Sequence, residues 1–224
     1  MEITYLGHSA FQIEADGKTI FVDPWLGGPE SPLTVDSVNN ADICLVTHDH
    51  GDHGYSEAVE ICKNTGAYFV AINELALKAK SAGVKNVHTL NIGGSIEING
   101  VVVTLVQAFH SCKIGTPTGF IIQLNSGTIY HAGDTGIFYD MKLFGEMYDI
   151  DLAMLPIGSY YTMSIEQASK ATSLINPKAV IPMHYNTFPV IEADPDEFRK
   201  LVSEESPETK VEVLDIGETR NINL

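Results

Sequence analysis

The sequence predicts an α/β protein with a four-layer αββα architecture, in which two mixed β-sheets pack face to face and helices cover both outer faces. Three observations support this prediction. Short runs rich in β-branched and aromatic residues recur along the whole chain of 224 residues. Helical patterns alternate with these runs. Neither half of the chain contains enough helix to cover both faces of a sheet by itself. We therefore expect a single domain that spans residues 1–224.

The predicted strands of the first half begin near the N-terminus and are short. They are Ile3–Leu6, Ala10–Glu14, Thr19–Val22, Asp42–Val46, Tyr68–Ala71, Val87–Leu90, Ser95–Ile98 and Val101–Gln107. Asp16-Gly17 and Asn99-Gly100 lie between neighbouring strands and are typical of hairpin turns. Two helices are predicted, at Ser56–Lys63 and Asn73–Ser81, and the first residue of each is a suitable N-cap.

The second half repeats this alternation of strands and helices. The predicted strands are Gly119–Leu124, Gly127–His131, Leu152–Leu155, Ala179–Ile181 and Val211–Leu214. The predicted helices are Ile137–Phe144, Ser164–Ile175 and Pro195–Glu205. The second of these helices is amphipathic and has Ser164 as its predicted N-cap.

Charge and cysteine content restrict the class of protein. The net charge of −16 argues against binding to nucleic acid or to an anionic membrane surface. No apolar run is long enough to span a membrane, and the N-terminus resembles a strand rather than a signal peptide. Cys44 and Cys62 lie in apolar stretches and match no CxxC pattern, which indicates reduced core thiols. We expect a cytoplasmic protein, and a homo-oligomer is compatible with the sequence.

The segment Thr47–Gly54 is the most informative part of the chain. Three imidazoles and two carboxylates fall within the six positions from His48 to His53, directly after the apolar run Ile43–Val46. Both groups are good ligands for divalent cations. Crowded ionisable groups repel one another once protonated, so an ordinary polar loop explains this segment poorly. The segment therefore predicts a metal site at the end of a buried strand.

The spacing within this segment divides the ligands between two cations. His48 and His50 are two positions apart and share one face of an extended segment. Gly51 permits a turn that brings Asp52 and His53 to a second cation. Three further candidates follow other predicted strands, whose C-terminal ends often gather on one edge of the sheet. They are His110, Asp134 and His184.

We assign seven ligands to two metals. The first metal takes His48, His50 and His110. The second metal takes Asp52, His53 and His184. Asp134 bridges the two cations. Taken singly, a histidine at the end of a strand is as often structural as ligating, but the first cluster requires further ligands of this kind.

These residues resemble the signature of the metallo-β-lactamase superfamily, with His48-x-His50-x-Asp52-His53 followed by the three distant ligands. The resemblance covers nearly the whole chain and implies an αββα sandwich with its site at the edge between the sheets. An Asp at position 134 is similar to the glyoxalase II and tRNA 3′-processing branches. The segments Tyr5–Ala10 and Met183–Phe188 look like the branch of ascorbate-6-phosphate lactonase. That likeness implies zinc or manganese as the metal, with nickel and iron also compatible.

Further residues are candidates for contact with substrate. His8 ends the first strand and is assigned as proton donor, or as the group that holds developing negative charge, while Asp52 helps to orient a water molecule. Lys113 and Asn186 are assigned to substrate binding. A solvated lysine and an amide that braces a neighbouring ligand are the alternatives for these two. Trp25 could line a pocket or close the edge of the core.

Two cations would together activate a bridging hydroxide, so the sequence predicts a dinuclear metal-dependent hydrolase. Its substrate is expected to be a small, anionic molecule with a phosphodiester, lactone or similar ester bond, since four added positive charges reverse the local sign of the protein. The sequence contains no GxSxG motif, so it does not predict a nucleophilic serine of that type. One alternative is an iron-dependent oxidoreductase of the thiol or persulfide dioxygenase type. Another is a metal-stabilised binding protein without turnover.

Overall fold

The computed structural model describes residues 1–222 and contains two mixed β-sheets of seven strands each, with helices on their outer faces. The first sheet consists of β1 (Glu2–Gly7), β2 (Ala10–Ala15), β3 (Lys18–Val22), β4 (Ile43–Leu45), β5 (Tyr68–Ile72), β6 (Val87–Leu90) and β14 (Thr219–Asn221). The second sheet consists of β7 (Ser95–Ile98), β8 (Val101–Gln107), β9 (Thr118–Leu124), β10 (Gly127–His131), β11 (Leu152–Pro156), β12 (Ala179–Met183) and β13 (Lys210–Val211). The helices are α1 (Tyr55–Thr65), α2 (Asn73–Ser81), α3 (Met141–Tyr148), α4 (Ile165–Ile175) and α5 (Pro195–Glu205). The predicted fold class is confirmed.

The two sheets share one plan. In the first sheet, β1, β2 and β3 are antiparallel, and β3 to β6 are parallel. In the second sheet, β7 to β10 are antiparallel, and β10 to β13 are parallel. Each half of the chain therefore builds a meander followed by parallel strands. This arrangement brings loops from both sheets to one edge.

The central parallel strands are apolar because both of their faces are covered. Every residue of β4, β11 and β12 is buried. Helices α1 and α2 pack against β4, β5 and β6, while α4 packs against β11 and α5 against β13. Among residues 1–222, no helix has both the length and the apolar composition that crossing a membrane would require.

The predicted helix at Ile137–Phe144 is wrong in its position. The helix begins at Met141 and continues to Tyr148, after a turn in which the amide of Lys142 bonds to the carbonyl of Tyr139. Ile137 and Phe138 are partly buried against the core from a loop. These two residues are apolar because the loop that contains them packs against the core, and not because they form the buried face of a helix.

The C-terminal strands also differ from the prediction. The strand expected at Val211–Leu214 is limited to Lys210–Val211, and a further strand, β14, pairs with the edge of β1. The residues of β14 are polar and largely exposed, so they lack the apolar alternation that identifies a half-buried strand. Backbone pairing with β1 is sufficient to hold such an edge strand.

Only one of the three predicted side-chain caps is present. The hydroxyl of Ser164 accepts a hydrogen bond from the amide of Gln167, as expected of an N-cap. Helix α1 is instead preceded by Gly54 in a left-handed conformation, and α2 already includes Asn73. A side chain at Gly54 would overlap the carbonyl of Pro24, so close packing of two loops determines where α1 begins.

Two backbone hydrogen bonds are among the contacts that join the sheets beside the expected site. The amide of His184, just after β12, bonds to the carbonyl of His8 at 2.7 Å. Both residues adopt the left-handed conformation, with φ of 55° each. The amide of Thr118 bonds to the carbonyl of Thr47 at 3.1 Å. Non-glycine residues rarely adopt positive φ, so this backbone geometry is maintained by the surrounding structure.

Candidate metal centre

The loop after β4 is fixed by a buried carboxylate. Asp23, which directly follows β3, accepts the amide of Thr47 at 2.8 Å and its hydroxyl at 2.6 Å. A short 3-10 turn over Gly51–His53 then reverses the chain, as the position of Gly51 predicts. After this turn, Asp52 and His53 lie beside His8 and His184, while the ring of His53 stays 4.1 Å from that of His48.

A first group of possible ligands consists of residues from the start of this loop and residues that follow strands of the second sheet. Its ligand atoms all lie within 4.8 Å of one another, and its members are His48, His50, His110 and Asp134. His50 Nδ1 lies 2.9 Å from His48 Nε2 and 3.3 Å from His110 Nε2. Asp134 Oδ2 lies 3.5 Å from His110 Nε2.

A second group combines the end of the loop with residues near the junction of the two sheets. Its ligand atoms also lie within 4.8 Å of one another, and its members are His8, Asp52, His53 and His184. His8 Nε2 is 3.2 Å from Asp52 Oδ2. The sequence placed His8 beside the metals as a proton donor, and the structure places it among the possible ligands.

Asp134 lies between the two groups. Its Oδ1 atom is 3.3 Å from His53 Nε2, and its Oδ2 atom is 3.1 Å from His184 Nε2. The same Oδ2 atom is 4.0 Å from His48 Nε2. A single carboxylate therefore contacts histidines of both groups, which is the geometry expected of a bridging ligand.

The donor atoms fit divalent cations. Within residues 1–222, His53 Nε2, Asp134 Oδ1 and His8 Nε2 are buried and make no hydrogen bond of good geometry, although polar atoms lie 3.2 and 3.3 Å away. Burial of polar atoms without a partner is unfavourable, and a cation between them removes that cost. Imidazole nitrogens as close as 2.9 Å are also readily explained when both face one metal ion. The mixture of imidazole and carboxylate suits zinc, manganese, nickel or iron.

The protein alone already favours ligand-competent protonation states at several positions. Burial and the neighbouring His53 lower the pKa of His48 to about 2. Burial also lowers the pKa of His110. Burial disfavours the charged form of Asp134, but His53 and His184 outweigh it and hold the pKa of that carboxyl well below its usual range. Neutral imidazoles and an ionised carboxylate are the forms that bind metal.

His53 is held by a carboxylate that the sequence analysis did not identify. His53 Nδ1 lies 2.7 Å from Asp23 Oδ2, and both side chains are fully buried. The contact directs His53 Nε2 toward Asp134 and fixes the tautomer of the ring. Asp23 follows β3 just as the predicted ligands follow their strands. That position was the available signal, although the prolines and glycines of the next residues indicated only a loop.

His131 is a structural residue. Its Nε2 atom lies 3.0 Å from the carbonyl of Ser9, and its Nδ1 atom accepts the amide of Gly133 at 3.2 Å. These contacts require a proton on Nε2 and join the first sheet to the loop that carries Asp134. The neutral form suits this role, and burial lowers the pKa of His131 accordingly.

The two predicted substrate-binding residues lie at the periphery. The amide of Lys113 donates to Asp49 Oδ1 at 2.8 Å, and its side chain is exposed. Asn186 Oδ1 accepts the amide of Ala193 at 2.9 Å, so the side chain braces its own loop. Asn186 also lines a cavity of about 490 Å³ that opens beside His8 and Trp25.

The chain is similar in sequence and structure to known metal-dependent hydrolases. The profile of the beta-lactamase superfamily domain matches residues 2–184. A UPF0173 metal-dependent hydrolase of Caldivirga maquilingensis is 49% identical, with 99% of this chain and 98% of that protein covered. One of Staphylothermus marinus is 50% identical, with 97% of each chain covered. The metallo hydrolase Igni18 of Ignicoccus hospitalis is similar in structure, with a TM-score of 0.90, 43% identity and coverage of 98% and 97%.

More distant structures share the fold alone. The diiron β-hydroxylase CmlA of Streptomyces venezuelae is 16% identical, with a TM-score of 0.80 over all of this chain and 54% of that one. An isothiocyanate hydrolase from Delia radicum gut bacteria is 18% identical, with a TM-score of 0.79. Both oxidative and hydrolytic enzymes thus have this fold, so the type of reaction must be inferred from the residues of the site.

Proposed function

We propose a reaction for this chain from the premise that it belongs to the beta-lactamase superfamily and is a metal-dependent hydrolase. Two divalent cations, held by the first and second groups, support the cleavage of a phosphodiester, a lactone or a related ester. One observation carries the proposal: Asp134 contacts histidines of both groups, at 3.1 Å from His184 and 3.5 Å from His110.

Each group has a distinct set of ligands in this proposal. His48, His50 and His110 hold the first cation, while Asp52, His53 and His184 hold the second. Asp134 is shared by both. The bound dications would supply Lewis acidity and lower the pKa of a water molecule near the scissile bond. Zinc or manganese fits these donors best.

The chain itself contributes orientation and proton transfer. Asp52 lies at the partly exposed side of the second group, where it would help to hold the cation and orient a water molecule. His8 is fixed by a contact of 3.0 Å between its Nδ1 atom and the hydroxyl of Thr187. Its Nε2 atom faces the site, so it can donate a proton or a hydrogen bond to the departing oxygen.

The metal requirement is tested with bis-p-nitrophenyl phosphate, a thioester and a lactone as substrates. We expect turnover of at least one of them by protein loaded with zinc or manganese. Removal of metal with a chelator should reduce the rate to background, and restoration of metal should recover it. A rate that persists after the metal is removed would contradict the proposal.

The same preparation separates the alternative functions. Protein with one equivalent of iron that consumes oxygen in the presence of a thiol would be an oxidoreductase of the dioxygenase type. Protein that retains metal but acts on none of the substrates would be a binding protein. The second histidine of the first group, His50, favours hydrolysis over a di-iron oxidoreductase, which by family resemblance usually has Glu at this position.

A substitution of His8 tests its role. We expect His8→Ala to lower turnover by about 100-fold, the ordinary contribution of a positioned proton donor, while both metals remain bound. Metal content measured by mass spectrometry distinguishes this role from ligation. If the variant loses one equivalent of metal, His8 is a ligand of the second cation instead. His88→Ala is the matched control, because it removes an imidazole that stacks on Tyr68 and belongs to neither group.

A further inference from the structure

A cavity of about 490 Å³ adjoins the second group and shares His8 with it. The ring of His8 therefore separates the cavity from the metal ligands. Trp25 and Tyr185 line the same cavity, together with the loop of Asn186 and Thr187. A substrate whose scissile bond lies at the metals can extend its departing group past His8 into this space.

The charged side chains of the cavity are carboxylates. Glu30 and Asp215 are among its lining residues, whereas no lysine or arginine is. Within residues 1–222, neither carboxylate has an ion-pair partner.

Aromatic rings complete the cavity beside these charges. The ring of Trp25 lies 5.5 Å from that of His8, in an edge-to-face arrangement. Phe188, which is not among the lining residues, packs against Trp25 with a centroid distance of 6.1 Å. Aromatic faces next to carboxylates bind ammonium groups well, because the electron-rich ring and the anion attract the same cation. The same wall repels an anionic group.

We propose that this cavity binds the departing group of the substrate and selects an alkylammonium group, so that the substrate is an ester or phosphodiester of an amino alcohol. This inference rests on the proposed hydrolase function, since it assigns a place to one product of the reaction. It limits the expected negative charge of the substrate to the end that meets the metals. The departing end is positive.

Trp25 provides a direct probe of binding, because it is the only tryptophan of the chain. The metal-loaded protein is titrated with choline and with 3,3-dimethylbutan-1-ol, which has the same shape without the charge. We expect choline to change the tryptophan fluorescence at about tenfold lower concentration. Two exposed carboxylates and one cation–π contact together account for a preference of this size.

Matched variants test the source of this preference. The double variant Glu30→Gln with Asp215→Asn should bind both probes at similar concentrations. The control, Glu97→Gln with Glu204→Gln, removes the same two charges from exposed positions outside the cavity lining and should keep the preference. Equal binding of the two probes by the unmodified protein would overturn the inference. So would a tenfold preference that survives in the Glu30 and Asp215 variant, or an absence of any fluorescence change.

Turnover distinguishes failure of the inference from failure of the proposed function. The substrates are acetylcholine and 3,3-dimethylbutyl acetate, which release the two probes. We expect a lower KM for acetylcholine, by about the same factor of ten. If neither ester is cleaved but choline binds with the predicted preference, ester hydrolysis is wrong and the assignment of the cavity stands. If both esters are cleaved with equal KM, the assignment of the cavity is wrong.

Discussion

The first and second groups of ligands differ in how firmly the protein holds them. In the second group, His53 and His184 are buried, and His53 rests on the buried carboxylate of Asp23. In the first group, the hydroxyl of Thr47 contacts His48, but His50 and His110 are only half-buried and their hydrogen-bond contacts are with ring nitrogens of the same group. The comparison indicates that the protein orients the second group in advance, whereas the first group relies more on the cation.

This difference has consequences for metal binding. A ligand that is already oriented loses little conformational entropy when the metal arrives. Access of water and chelators is also easier where the imidazoles are half-exposed. We therefore expect the second cation to bind more tightly and to exchange more slowly than the first.

The largest effect is expected from substitution of ligands in the two groups. His48→Ala should abolish turnover and remove the first cation, while about one equivalent of metal stays in the second group. Asp134→Ala should abolish turnover and weaken both cations, because this carboxylate contacts both groups. Metal analysis of the two purified variants, beside activity, checks the difference. Full activity of His48→Ala would refute the ligand assignment.

A smaller effect is expected from the carboxylate behind His53. Asp23→Asn should lower the affinity of the second cation by about 10- to 100-fold and leave the first unchanged. Asp42→Asn is the matched control, because Asp42 also accepts a strand amide but lies away from both groups. Competition with a chromophoric chelator measures both affinities. Equal weakening of the two cations would show that Asp23 supports the loop as a whole.

The smallest effect concerns acid. In the metal-free protein, the pKa of His48 lies below its ordinary value of about 6.5, so the unfolded chain binds a proton that the folded state does not. The free energy of unfolding should therefore decrease as the pH falls below about 6.5, by about 1.4 kcal/mol per unit for His48. His53, whose pKa Asp134 and Asp23 raise against burial, acts in a different pH range: its contribution is complete below about pH 6.5 and is lost as the pH rises toward its raised pKa.

Urea denaturation of the metal-free protein at pH 7.5, 6.5 and 5.5 tests this expectation. His48→Asn should flatten the dependence, because the residue that gains a proton on unfolding is gone. An unchanged dependence of the unfolding free energy on pH in that variant would mean that other histidines cause the loss of stability.

In the metal-loaded protein, protons compete with the cations for the same imidazole nitrogens, so the metal content should fall below about pH 6.

The sequence was sufficient for the fold class and for most of the candidate site because the relevant signals are local. His48 to His53 occupy adjacent positions, and His110, Asp134 and His184 each follow a strand. Parallel strands bring such positions to one edge, so their convergence could be anticipated. Their roles as ligands stay predictions that the metal analysis above will test.

Other features depended on packing that single residues do not reveal. Asp23 follows a strand, as the predicted ligands do, but its carboxylate orients the ligand His53. Only the distance between Asp23 and His53 in the structure reveals this role. Strand β14 is polar and exists through its pairing with β1. The helix predicted at Ile137 begins later because the apolar residues before it cover the core from a loop. The left-handed conformation of His8 likewise results from its contact with the other sheet.

The hydrogen bond from the His184 amide to the His8 carbonyl makes that amide proton a reporter for the whole molecule. Exchange of this proton with deuterium requires the two halves to separate at the point where they meet. Slow local openings near the termini would not expose it. A measured protection factor at this one position would therefore approach the global stability, and its increase on metal addition would give the binding free energy without any substrate.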